Sequence, residues 1–194
     1  MFAKLMAVGF LAFSLSACAS TIDYSEMPRP QGRSMVRAEG QKAMQCAPYA
    51  REHSKIKIFG DAYTWWDQAS GRYPRGSAPE KGSILVLYNY AGAERGHLAV
   101  VRTLVSAREI RVDHANWLND GSIYVNNPVL DVSSANDWSQ VRVFNLETGA
   151  WGSRVYPVRG FIGSDRDIGD KDGDLVASLA GGSGEIRTLI GEIY

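Results

Sequence analysis

The chain has 194 residues, and its 21 lysines and arginines balance 21 aspartates and glutamates, so its formal net charge is zero. This balance argues against a nucleic-acid binder, which normally carries a basic domain or stripe. Apolar residues make up 45% of the chain and charged residues 22%, as in ordinary globular domains, which excludes a disordered or collagen-like chain. The length predicts one compact domain with short appendages.

Residues 1–17 have the anatomy of a signal peptide. Lys4 precedes an apolar run from Leu5 to Leu15, and small residues follow that run, which is the order typical of an export signal. The run is shorter than the roughly 20 residues that a membrane-spanning helix needs. We therefore predict an exported protein rather than a permanent transmembrane anchor.

Cys18 directly follows this signal, in the tetrapeptide Leu15-Ser16-Ala17-Cys18. The tetrapeptide resembles the lipobox of bacterial lipoproteins, and the resemblance implies cleavage before Cys18 and acylation of its thiol and new amino group. The alternative is a plain secretory signal that is cut near Ala17 or Ala19. More than one acyl chain gives stable anchoring, and Ala19 after the cysteine resembles outer-membrane sorting. We expect a lipid anchor on the periplasmic side of the outer membrane.

The mature chain is predicted to divide into three parts. Residues 18–40 are polar with two prolines and read as the lipidated N-terminus and tether, residues 41–162 as the folded domain, and residues 163–194 as an acidic, flexible tail. The acidic residues of the tail lack the glycine and glutamate spacing of a calcium loop. We therefore predict neither a metal site nor a cofactor.

The first half of the predicted domain has helical spacing. Within residues 43–57 the helix is expected to begin at about Cys46, because Pro48 is tolerated only in a first turn. A second short helix is expected after Gly60 and Asp61, where Asp61 is placed as the N-cap.

The second half has strand patterns. Residues 83–88 form a continuous apolar run, typical of a central buried strand, and residues 97–101 are expected to pair with it as a hairpin. Residues 109–117 alternate, which places Ile110, Val112, His114 and Asn116 on the inward face and Asp113 toward solvent. Further strands are expected at 140–144 and 155–158. The predicted fold class is α+β, with N-terminal helices packed on an antiparallel β-sheet.

Cys46 is the single cysteine left in the folded domain if Cys18 is lipidated. A free cysteine is often a small buried apolar residue, but a helix N-terminus and a nearby imidazole can also activate it as a nucleophile. His53 lies about 10 Å along the same predicted helix, too far for a hydrogen bond. We favour His97 as the general base, because Gly96 before it permits a close backbone approach.

A base of this kind needs a polar partner that fixes its tautomer. The inward face of the strand at 109–117 supplies two candidates, His114 and Asn116. The order along the chain is cysteine, then histidine, then a polar group on a following strand, which is the order found in papain-like amidohydrolases.

These residues lie in five segments that resemble the CHAP domain, the cysteine- and histidine-dependent amidohydrolase/peptidase family. They cover about 72 residues in the right order. The segments are Cys46-Ala47-Pro48-Tyr49-Ala50-Arg51, Gly60-Asp61-Ala62-Tyr63-Thr64-Trp65, Lys81-Gly82-Ser83-Ile84-Leu85-Val86, Gly96-His97-Leu98-Ala99-Val100-Val101 and Val112-Asp113-His114-Ala115-Asn116-Trp117.

The resemblance implies a papain-like fold with Cys46 as nucleophile, His97 as base and Asn116 as a polar member of the site. Family members usually carry a glutamate two residues before that asparagine, where this chain has His114. The related NlpC-type peptidases use a histidine as the third group, so His114 is a candidate for orienting His97.

The resemblance implies a cell-wall peptidoglycan amidohydrolase or endopeptidase that works through an acyl-enzyme. The alternative is a noncatalytic envelope lipoprotein that binds wall fragments or a protein partner in a groove lined by aromatic side chains. The candidates for that lining are Trp65, Trp66, Trp117 and Tyr88. A third possibility from the same superfamily is an amidase that acts on a small thiol–polyamine conjugate.

Overall fold

The structure, a computed structural model, describes residues 29–37 and 42–163, and most of their regular elements are β-strands. The elements in chain order are β1 Met35–Arg37, α1 Cys46–His53, a 3-10 helix Ala62–Thr64, α2 Trp65–Gln68, β2 Arg75–Gly76, β3 Ile84–Leu87, β4 His97–Leu104, β5 Glu109–Ala115, β6 Ile123–Asp131, β7 Gln140–Asn145, β8 Ala150–Trp151 and β9 Tyr156–Ile162.

Six antiparallel strands close into a barrel in the order β6, β5, β4, β3, β9 and β7, and β7 pairs again with β6. The long strand β6 makes this closure possible. It pairs with β5 along most of its length, and on its other edge it pairs with β1 at its start and with β7 at its end. The short strands β2 and β8 add to β9 and β7.

Successive side chains of a strand point to opposite faces of the sheet, so the strands contribute to two hydrophobic cores, one on each face. Leu85 and Val101 belong to the cluster that fills the barrel, together with side chains of β5, β6, β7 and β9. Their neighbours Ile84 and Val100 face outward and pack with residues of α1 and α2. The helix α1 therefore covers the barrel wall at β4 and β5, and the 3-10 helix lies against β3 and β4.

The helix α1 begins at Cys46, as the sequence predicts. Pro48 occupies its first turn, where the missing backbone N–H interrupts no helical hydrogen bond. Tyr49 and Ala50 are buried. The second predicted helix is also present, first as one turn of 3-10 helix and then as α2, with Asp61 at the N-cap position but without a side-chain capping bond.

The predicted α+β fold, with papain-like N-terminal helices packed on an antiparallel sheet, is wrong. The described residues form a closed six-stranded barrel with extra strands, and its two α-helices are short, with 8 and 4 residues. The predicted strands at 83–88, 97–101, 109–117, 140–144 and 155–158 overlap β3, β4, β5, β7 and β9. The strand β6 was not predicted, because Asn126, Asn127 and Pro128 interrupt its apolar pattern, and without it the sheet does not close.

Several predictions concern the two ends of the chain. The signal peptide at 1–17, Cys18, residues 19–28 and 38–40 of the tether and residues 164–194 of the acidic tail lie outside the described residues. Residues 35–37, within the predicted tether, form β1 and pair with β6. Within the described part of the chain, none of the helices has the length and apolar character needed to cross a membrane.

Candidate active site

A groove of about 610 Å³ lies between the start of α1 and two loops. One loop precedes and includes the 3-10 helix, and the other joins β3 to β4. Arg51 and Arg95 line it together with Asp61 and Glu94, so both charge signs are present. The lining residues are Gln45, Cys46, Ala47, Pro48, Arg51, Gly60, Asp61, Ala62, Tyr63, Glu94, Arg95 and Gly96.

Cys46 lines this groove at the first residue of α1, and its thiol is free. Burial raises the pKa of the thiol above its ordinary value, and backbone hydrogen bonds from Leu98, Ala47 and Cys46 itself oppose that rise. The sequence predicted that the helix start would lower the pKa. The backbone groups do act in that direction, but the loss of solvation is larger, so the resting thiol keeps its proton.

His97 and His114 form a hydrogen-bonded pair inside the barrel. Nε2 of His97 lies 2.8 Å from Nδ1 of His114. His114 shares the inward face of β5 with Val112, as the strand alternation predicts, and His97 shares the inward face of β4 with Ala99. His97 begins β4 and is directly followed by Leu98, whose backbone bonds to the Cys46 sulfur. The fold therefore brings the backbone next to His97 to the thiol, and it leaves Nδ1 of His97 unengaged by His114.

Aromatic rings surround the two imidazoles. Tyr90 and Trp117 lie 5.0 and 4.9 Å from the His97 ring, and Tyr124 lies 5.3 Å from the His114 ring. Burial lowers the pKa of His97 from its ordinary value to about 3. The pKa of His114 is also held well below its ordinary value, mainly by burial and to a smaller extent by the nearby His97. Both rings are therefore neutral at neutral pH.

Asn116 lies just beyond the end of β5 and does not contact either histidine through a hydrogen bond. Its Nδ2 donates to Oε1 of Gln45 at 2.7 Å, and its Oδ1 accepts from the backbone N–H of Gly121 at 2.8 Å. The backbone of Met44 donates to the carbonyl of Gly121. The loop after β5 thus holds the segment that leads into Cys46. Asn116 therefore lies in this loop and not on the inward face beside the histidines, where the strand alternation predicts it.

Asn127 is a polar residue of the histidine cluster that the sequence reasoning did not identify. It is fully buried on β6, and its Nδ2 lies 3.0 Å from Nε2 of His114. A bulge between β5 and β6 directs both Tyr124 and Asn127 toward His114. The only sequence signal was an asparagine pair before a proline, which is more typical of a turn than of a strand.

Gly96 provides the close approach that its place before His97 suggested. A Cβ atom at this position would lie 2.7 Å from the backbone nitrogen of Tyr63 and 2.9 Å from the carbonyl carbon of Ala62. Only glycine permits this contact between the start of β4 and the 3-10 helix, so Gly96 sets the position of His97 relative to the groove.

Other predicted features are placed elsewhere. Asp113, predicted to face solvent, is half-buried and accepts a hydrogen bond from Arg102 at 2.7 Å. His53 is exposed at the end of α1. The groove in the described residues is not lined by the four aromatic residues proposed for it, which are Trp65, Trp66, Trp117 and Tyr88. No cluster of metal-ligating side chains occurs within residues 29–37 and 42–163.

Residues 36–116 match the family model of the CHAP domain. The match includes Cys46, His97, His114 and Asn116, and it ends before Asn127. CHAP domains are generally amidases or peptidases, so the match indicates a peptidoglycan hydrolase or an enzyme of the amidase kind. No curated protein matches the chain.

Proposed function

We propose that this protein is a cysteine-dependent peptidoglycan amidohydrolase or endopeptidase. The observation that carries the proposal is the position of Cys46 in an open groove at a helix start, where its sulfur bonds to the backbone of Leu98. Leu98 directly follows His97, which belongs to a hydrogen-bonded histidine pair. The sequence segments that supply these residues fall within the CHAP match.

The neutral resting state of the thiol and the imidazoles defines how the reaction begins. The sulfur of Cys46 attacks the carbonyl carbon of the scissile amide while its proton moves to Nδ1 of His97, so no preformed ion pair is needed. Backbone N–H groups at the start of α1 are placed to stabilise the oxyanion. His97 then gives the proton to the departing amine, and the C–N bond breaks to leave a thioester on Cys46.

The second half-reaction restores the enzyme. Water attacks the thioester carbonyl and gives a proton to His97, and that proton returns to the sulfur as the carboxylic acid leaves. His114 orients the His97 ring through their hydrogen bond. Asn116 has a supporting role, because it holds Gln45 beside the nucleophile.

The test is digestion of purified peptidoglycan, with the soluble products identified by mass spectrometry. We expect fragments from the wild-type protein and none from Cys46→Ala or His97→Ala, with His53→Gln, at the exposed end of α1, as a fully active control. The fragment masses identify the cleaved amide. Fragments of equal yield from Cys46→Ala would refute the thiol mechanism, whereas a folded but inactive wild type that pulls down intact wall would favour a binding lipoprotein.

For the location we propose a lipid anchor at Cys18 in the outer membrane, on the periplasmic side. The support is the lipobox-like tetrapeptide Leu15-Ser16-Ala17-Cys18 after an apolar signal segment. Such an anchor would hold the groove near peptidoglycan. The expected result is a membrane-bound wild type and a Cys18→Ser variant that leaves the membrane fraction. Equal membrane binding by the two proteins would contradict the anchor.

A further inference from the structure

Asn127 is the last member of a chain of three hydrogen-bonded side chains inside the barrel. The chain runs from Asn127 to His114 over 3.0 Å and from His114 to His97 over 2.8 Å. All three residues are at least 98% buried. Each contact has room for one hydrogen, so a hydrogen placed at one end of the chain fixes the donor and acceptor at every other contact.

The other side of the Asn127 amide has no partner among residues 29–37 and 42–163. Its Oδ1 is fully buried and makes no hydrogen bond to them. A buried polar atom without a partner costs about 1–3 kcal/mol, and such a group in a native fold needs an explanation. Because no described residue bonds to Oδ1, the orientation of the amide is not fixed from that side.

With Nδ2 toward His114, the amide donates to Nε2 of His114. That ring then carries its hydrogen on Nδ1 and donates it to Nε2 of His97. Since His97 is neutral, its own hydrogen must lie on Nδ1, which leaves this nitrogen without a lone pair for the thiol proton.

Rotation of the Asn127 amide by half a turn exchanges donor and acceptor at both hydrogen bonds, Asn127–His114 and His114–His97. Oδ1 then accepts a hydrogen from Nε2 of His114, and Nδ1 of His114 accepts one from Nε2 of His97. The lone pair of His97 now lies on Nδ1, the nitrogen that is not bonded to His114, and this nitrogen is able to take a proton.

We propose that Asn127 is a positioning residue, whose side-chain amide decides through His114 which nitrogen of His97 carries the hydrogen and so whether Nδ1 can act as the base. The catalytic part of this inference rests on the proposed function. Its structural part, the control of two histidine tautomers by one amide, does not.

Two variants of Asn127 are expected to lock opposite tautomers. A carboxylate in Asn127→Asp only accepts, so both histidines should carry the hydrogen on Nε2. The apolar, similarly sized side chain in Asn127→Leu gives His114 Nε2 no acceptor, so both histidines should carry it on Nδ1. Removal of the unpartnered Oδ1 should also leave Asn127→Leu well folded.

The experiment is nitrogen-15 NMR of the imidazole rings in the full chain at neutral pH, which separates protonated from unprotonated ring nitrogens. Exposed His53 is the internal reference, and Tyr124→Phe is the matched control, because its hydroxyl bonds to Asp120 rather than to a histidine. Opposite tautomers in the two Asn127 variants support the proposal. Identical tautomers overturn it, whether or not the protein hydrolyses peptidoglycan, and if Asn127→Asp fails to fold, Nε2–H in Asn127→Leu also overturns it.

Kinetics supply the second readout if the wild type is active. Asn127→Leu should lower kcat by about 100-fold with KM unchanged, because the base is lost while substrate contacts remain. Asn127→Asp should keep kcat but move the acid limb of the pH profile to higher pH, because a carboxylate raises the pKa of the neighbouring imidazole. An unchanged kcat and pH profile in both variants would contradict the positioning role.

Discussion

At the residue scale, the most unusual feature of this protein is a pair of histidines that the fold keeps neutral. His97 and His114 are 2% and 1% exposed, and they meet edge to face with their ring centroids 5.0 Å apart. No carboxylate hydrogen-bonds to either ring in the described residues. A charged imidazole here would lose its hydration without gaining an ion pair.

This pair should make the protein sensitive to acid. Both pKa values lie below the ordinary value in the folded state, so the unfolded chain binds protons first as the pH falls below about 6.5. The free energy of unfolding should be highest above that pH and should fall, by up to about 1.4 kcal/mol per pH unit for each buried histidine, as the pH drops toward 3.

Urea unfolding as a function of pH measures this effect. His97→Gln should flatten the dependence between pH 6.5 and about 3, and His114→Gln should flatten it below pH 6.5. His53→Gln, at an exposed position, is the control. A dependence that is equally steep in all four proteins would show that the buried pair does not set the acid stability.

Gly96 lies so close to the backbone of Ala62 and Tyr63 that a larger residue does not fit. In Gly96→Ala the new methyl group would lie 2.8 Å from the Cα atom of Tyr63, and backbone atoms yield less readily than a side chain. We expect a loss of about 1–3 kcal/mol in the free energy of unfolding, together with slower alkylation of Cys46. Thermal unfolding and iodoacetamide labelling check both effects, and wild-type values in both would contradict the close contact.

At the element scale, the nucleophile depends on the loop after β5. Asn116 has a positive φ of 60° and bonds to both Gln45 and Gly121. This conformation suits asparagine or glycine better than most other residues. The loop therefore combines a backbone shape with two side-chain bonds that hold the segment before α1.

Asn116→Gly and Gln45→Ala both remove the bond between these two side chains, and Asn116→Gly also removes the bond to Gly121. We expect Asn116→Gly, which tolerates the positive φ, and Gln45→Ala each to lower the turnover rate moderately and the stability by about 0.5–1.5 kcal/mol. The double variant should lose little more than Asn116→Gly alone, because the bond to Gln45 is already absent there. Fully additive losses in stability and kcat would show that the bond does not couple these residues.

Sequence patterns predicted elements that rely on local signals. Pro48 marks the first turn of α1, and the apolar run at 84–87 marks β3, because these signals lie within a few residues of the structure they cause. The strand β6 was not predictable in this way. Its pairing to β5 and β7 overrides the turn-like pattern of Asn126 and Asn127, and the position of Asn127 beside His114 depends on a bulge.

At the scale of the whole molecule, the closed barrel determines where stability lies. Closure leaves the six barrel strands paired on both edges over part of their length, whereas β1 and β8 lie at the ends of the strand order. Strands with hydrogen bonds on both edges open only when the barrel opens, but an end strand can separate by itself.

Hydrogen exchange distinguishes this barrel from an open sheet with helices on one face. We expect the central amides of β4, β5, β6 and β7 to exchange at the rate of global unfolding, and those of β1 and β8 to exchange faster. The pairing between Val129 and Val143 closes the barrel. Fast exchange of β7, as in an unpaired edge strand, would contradict the closure.

The proposed mechanism requires that Cys46 becomes covalently acylated during turnover. The most direct test is to quench the reaction with soluble peptidoglycan fragments within the first turnovers and to determine the mass of the intact protein and of its Cys46 peptide. We expect an added mass on that peptide equal to the acyl part of the substrate, and no adduct in Cys46→Ala or His97→Ala. Turnover without an adduct on Cys46, at the same rate in Cys46→Ala, would show that the groove does not work through its thiol.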